Sequence, residues 1–162
     1  MQKREIRLYN MIFPIWMLWF IPVTWIIILP VNLAIDWGVL FFTLKYLRVE
    51  KRKQITKMCV LRVWICGFLA DIIGSVCMFL PILLDADADF INSIAMNPFE
   101  SIWALLYTTI ALLIAAVCIY QFNLKFCLKK SGLELEQKKK TALVLAVITA
   151  PYLYYLPTAW FY

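Results

Sequence analysis

Three basic clusters, residues 3–7, 45–62 and 125–140, hold all sixteen Lys and Arg of this chain, and long apolar stretches lie between them. Loops kept in the cytoplasm retain cationic residues and translocated loops lose them, so the alternation predicts how the chain threads a membrane. The expectation is an all-α fold, a polytopic transmembrane helical bundle of about five spans. It forms a single integral membrane domain over residues 1–162, with the N-terminus inside and the C-terminus outside.

The apolar block from Leu8 to Leu44 would measure about 55 Å as one helix, against a hydrocarbon core of roughly 30 Å. Pro30 and Asn32 mark the expected fold-back, because proline removes a backbone donor and disfavours helix in the residue before it. The block then divides into spans over residues 9–29 and 32–47, an even number of crossings between two basic flanks. Pro14 and Pro22 leave open a re-entrant or interfacial first segment. The beginning mimics a secretory signal but has no small-x-small cleavage site, so it reads as an uncleaved first span.

A third span is expected over residues 58–84, with Arg62 one turn inside and able to snorkel back to the headgroups. Asp85-Ala86-Asp87-Ala88-Asp89 carries no basic residue, as an exported loop should. Asn97-Pro98-Phe99-Glu100 supplies an N-cap, a proline at the first helical position and an acid at the third, which places a fourth span over residues 98–124. Ser131-Gly132 turns a polar hairpin before a fifth span over residues 141–157. Tyr152, Tyr154, Tyr155, Trp160 and Tyr162 then form an aromatic belt at the outer interface.

Composition agrees with lipid as the main solvent: 64% of residues are apolar, against roughly half in soluble domains. The net charge of +6 lies beside the hydrophobic spans. There it reads as anchorage to anionic headgroups, so the expected partner is the lipid bilayer and not nucleic acid. Cys59, Cys66, Cys77, Cys118 and Cys127 have no C-x-x-C spacing and read as free, buried thiols. The absence of histidine takes away the commonest ligand or base of a zinc, haem or Ser-His site, so no cofactor, metal or catalytic residue is expected. Asp85, Asp87 and Asp89 imitate the opening of a calcium loop, but Phe90 and Met96 stand where its glycine and bidentate glutamate belong.

Asp36 and Asp71 are the two ionisable residues well inside apolar spans, where a carboxylate costs several kcal/mol unless paired, protonated or hydrated. Counted along the helices, Asp71 lies about 21 Å from Lys57, and Asp36 roughly 14 to 18 Å from Lys45 or Arg48. At such similar depths the two acids can approach each other across neighbouring helices and form a proton or cation site. The alternative is that each bonds Ser, Thr, Trp or backbone groups of an adjacent helix and only orients packing. Gln121 and Asn123 are candidates for lining a vestibule at the inner end of the fourth span.

Gly67, Ala70 and Gly74 recur on the same stripe as Asp71, and Ala142, Ala146 and Ala150 repeat every four residues on the fifth span. Ala104, Thr108, Ala111 and Ala115 do the same on the fourth. Such seams let helices approach closely, within one chain or between copies or partner subunits.

Phe13-Pro14-Ile15-Trp16, the stretch Leu29 to Asp36 and the stretch Gly67 to Gly74 resemble small multi-pass membrane proteins of Gram-positive anaerobic bacteria, a group of uncharacterised function. The resemblance implies a bacterial cytoplasmic membrane protein and carries no activity with it. The leading expectation is a non-enzymatic accessory or scaffold subunit whose seams hold its own spans, a second copy or a partner membrane subunit. The competing one is a proton- or cation-coupled transporter or channel using Asp36 and Asp71.

Overall fold

A computed structural model describes residues 14–160. Five α-helices are present among them: α1 (Trp25–Tyr46), α2 (Arg52–Leu83), α3 (Ala88–Met96), α4 (Ile102–Phe122) and α5 (Leu135–Ile148), and no strand. Three segments are long and apolar enough to cross a membrane: Pro22–Tyr46, Arg52–Leu83 and Ile102–Cys127. The α2 surface has the order expected of a membrane-spanning helix. Leu61, Ile65, Leu69, Ile73, Val76 and Leu80 face outward, while Gly67, Ala70, Gly74 and Ser75 are buried. Small residues inside and branched ones outside let helix backbones approach and leave an apolar exterior suited to a lipid surrounding.

Pro30 does not break the chain as expected. It lies inside α1, an arrangement expected of a candidate span because lipid would offer its backbone no alternative to helix, and the indole N–H of Trp64 donates to the neighbouring Leu29 carbonyl at 2.9 Å. The discontinuity falls earlier, at Ile21, whose extended backbone precedes a 3-10 turn opened by Pro22. The described part of the expected 9–29 span is therefore two 3-10 turns, Ile15–Phe20 and Pro22–Thr24, followed by the start of α1; its first residues lie outside those described.

Helices α1 and α2 end alike. Val49 and Arg48 N–H groups return to the Leu44 and Lys45 carbonyls, and Ala86 and Asp85 N–H groups return to those of Pro81 and Ile82. These are Schellman closures, which need a left-handed residue. Arg48 (φ 54) and Asp85 (φ 53) occupy the position where glycine is usual.

The fourth span begins later than its sequence signal. Asn97 does cap, with Oδ1 accepting from Phe99 N–H at 3.2 Å, but only a 3-10 turn, Pro98–Glu100, follows. Extended Ser101 separates that turn from α4. Gly132 at φ 75 makes the expected turn, and α5 opens on a capping box between Glu134 and Gln137. With 14 residues, α5 measures only about 21 Å. The chain then continues through Pro151 into a further 3-10 turn, Tyr152–Tyr155.

Two core clusters lie at opposite ends of the bundle. At the basic end Leu40, Leu44, Ile55, Cys59, Val63, Cys127, Leu128, Leu133, Ala142 and Leu145 pack together, bringing the second and third basic clusters side by side. At the acidic end, beside the Asp85–Asp89 loop, the core is Trp16, Met78, Ile94, Ala104, Ala111, Leu112, Ala150 and Tyr154. Ile15 N–H donates to Thr158 Oγ1 at 3.1 Å, so both described termini join this end.

Candidate functional site

The site follows from the crossing of α1 on α2. Asp36 Oδ2 lies 3.5 Å from the point that a Cβ on Gly67 would occupy, so the glycine leaves room for the carboxyl to rest on the α2 backbone. Asp71 is one turn further along the same face, where successive Cβ atoms are about 5–6 Å apart. The two acids thus lie on adjacent turns of one groove. Both line a single cavity of about 630 Å³.

Asp36 and Asp71 are 5% and 4% exposed, and Asp71 Oδ1 has no hydrogen-bond partner among the described residues. Asn32, Phe68, Phe99, Thr149, Tyr152, Tyr155 and Trp160 contribute to the remaining wall, and among the described residues no Lys or Arg does. An ionised carboxyl in such surroundings is costly without a proton or a cation to neutralise it.

Tyr154 fixes the wall in place. It is 1% exposed, and its hydroxyl donates to the Asp71 backbone carbonyl at 2.6 Å. A phenol has one proton, so in the 3.1 Å contact with Ser75 the serine hydroxyl is the donor. A Cβ on Gly74 would lie 2.6 Å from the Tyr154 oxygen and 3.0 Å from Ala115 Cβ. Only glycine admits both neighbours. This tyrosine holds the segment after α5 against α2 and so closes the side of the cavity.

The positions singled out in the sequence separate clearly. Asp36 and Asp71 are brought together. Gly67, Ala70 and Gly74 are buried along α2, Ala142 and Ala146 in the core of the basic end, and Ala150 beside the cavity. Asn123 does not line a vestibule: it is fully buried, and its amide donates to the Ile119 carbonyl at 2.9 Å. Asp87 caps α3, accepting from Asp89 and Phe90 N–H groups at 3.0 and 3.1 Å. Of the expected aromatic belt, Tyr154 is buried, Tyr155 half-buried and Tyr152 and Trp160 exposed, while Tyr162 lies outside the described residues. The burial of Tyr154 had one trace in the sequence, the prolines at 151 and 157 that bracket it and interrupt helix.

Comparison with protein-family models, curated proteins and solved structures gives no match to this chain.

Proposed function

We propose that this chain is a polytopic protein of the bacterial cytoplasmic membrane that binds and moves a cation or proton at Asp36 and Asp71. The observation that carries the reading is the shared cavity: two buried carboxyls with, among the described residues, no basic residue in the wall. Paired acids in a lipid-embedded bundle mark ion or proton pathways when nothing in the protein neutralises them. The accessory-subunit reading rests on the small-residue seams together with short loops and the lack of catalytic side chains. The seams hold the chain's own helices, Gly74 meeting Tyr154 and Ala115, and Ala142 and Ala146 lying in the basic-end core, an arrangement that reading also allows and one that leaves the carboxylate pair unaccounted for.

The threading belongs to the same proposal. The basic end faces the cytoplasm, α1, α2 and α4 cross completely, and α5 with the turns after it makes a further crossing. The cavity then lies toward the outer half of the bilayer.

Reconstitution in liposomes carrying a trapped pH indicator tests transport. Imposed pH or cation gradients should drive flux in the native protein, and Asp36→Asn and Asp71→Asn should each abolish most of it. Absence of flux, or flux indifferent to both substitutions, overturns the reading.

A further inference from the structure

The dimensions and lining of the cavity bear on what kind of cation it takes. About 630 Å³ falls within the range of roughly 300–1,000 Å³ that encloses small organic molecules, and far exceeds the needs of a proton or a bare ion. A hard divalent ion requires about six to eight oxygens in a close shell. Among the described residues no third Asp, Glu, His or Cys joins the pair in a metal-binding group. The wall is mainly apolar, and it carries aromatic rings from Phe68, Phe99, Tyr155 and Trp160. Ring faces attract cations that have shed water, and organic ammonium groups most readily.

We propose that the cavity binds a lipophilic organic cation, an ammonium or phosphonium bearing apolar substituents. Its charge lies at Asp36 and Asp71 and its substituents lie against Phe68, Phe99, Tyr155 and Trp160. This inference rests on the carboxylate pair being the cation site proposed above and names the ligand class of that site. Asp71, whose Oδ1 is buried and unpartnered among the described residues, gains from the ligand the neutralisation that those residues do not give it.

Equilibrium binding to the purified full-length protein in lipid nanodiscs tests the assignment, with tetraphenylphosphonium as probe and tetraphenylborate as its anionic counterpart of the same shape. The phosphonium should bind saturably and the borate should not. Asp71→Asn should weaken phosphonium binding by about tenfold or more. Trp160→Ala, at a position 73% exposed, should leave the unfolding temperature unchanged and weaken binding about threefold. Equal binding of the borate, or unchanged affinity in both variants, would mean an apolar hollow without charge recognition and would overturn the inference. Carboxylate-dependent proton flux with no phosphonium binding would also overturn it while leaving the proposed function standing. Charge-selective, Asp71-dependent binding without any flux would uphold the ligand class and remove transport.

Discussion

The two ends of the bundle both bury polar groups, but of different kinds. At the basic end Thr56, Asn123 and Thr141 leave an oxygen, and the half-buried Arg52 its Nε, without a partner, and the surrounding core is mainly aliphatic. A neutral hydroxyl or amide left so costs about 1–3 kcal/mol on the scale of protein substitutions, which the packing around it can offset. Toward the acidic end Thr108 Oγ1 is likewise unpartnered, but so is one oxygen of a carboxyl, Asp71, which would cost far more as a bare anion. It lies on a cavity, not in a filled core. The contrast teaches that burial of polar atoms alone does not mark a site in this protein. A group whose charge the fold leaves uncompensated, next to space for something that compensates it, does.

Substitutions at the two ends should therefore separate stability from binding. Leu145→Ala at the basic end removes a fully buried side chain. It should lower stability by about 3 kcal/mol, while phosphonium affinity per folded molecule stays unchanged. Gly74→Ala forces a methyl into Tyr154 and Ala115; thermal unfolding in detergent should show a loss of about 2 kcal/mol, with weakened ligand binding. Tyr154→Phe keeps the ring but deletes the hydroxyl shared by the Asp71 carbonyl and Ser75. The loss should be about 1 kcal/mol, and the cavity wall should loosen enough to raise the ligand dissociation rate.

Smaller effects belong to the basic end alone. Arg48→Gly relieves a left-handed residue at a helix end and should stabilise by about 1 kcal/mol with binding unaffected. The Glu136–Lys140 ion pair, 2.7 Å apart and exposed, gives the smallest effect. The hydrogen bond and charge of Lys140 hold the Glu136 carboxyl below its ordinary value. A carboxyl depressed by folding contributes stability above its unfolded pKa and loses it as pH falls through the folded value. Glu136→Gln should thus leave the unfolding temperature almost unchanged at neutral pH, and any difference from the native protein should vanish on acidification.

Much of this architecture was legible in the chain. Helical class follows from apolar length, and the two carboxylates stand out because nothing else ionisable lies so deep. Gly67 and Gly74 were visible as a close-approach stripe, although only the fold shows that one admits a carboxyl and the other a tyrosine. The fold-back at Pro30 was misread, since a proline's missing donor matters less in lipid than the lack of any competing partner for the rest of the backbone. The start at Asn97 was misplaced because a capping motif specifies one turn, not the length of helix that follows. Tyr154 escaped altogether: aromatic residues after a last span ordinarily lie at the interface, and its burial depends on contacts more than seventy residues away in sequence.

The meeting of Asp36 with the Gly67–Asp71 turn underlies both the site and its ligand, and cross-linking tests it directly. In a variant with the five native cysteines replaced, Asp36→Cys paired with Gly67→Cys should be joined rapidly by a short bis-methanethiosulfonate. Paired with Leu69→Cys, on the exposed side of α2, it should not. Equal cross-linking of the two pairs, or none at position 67, would contradict the shared cavity.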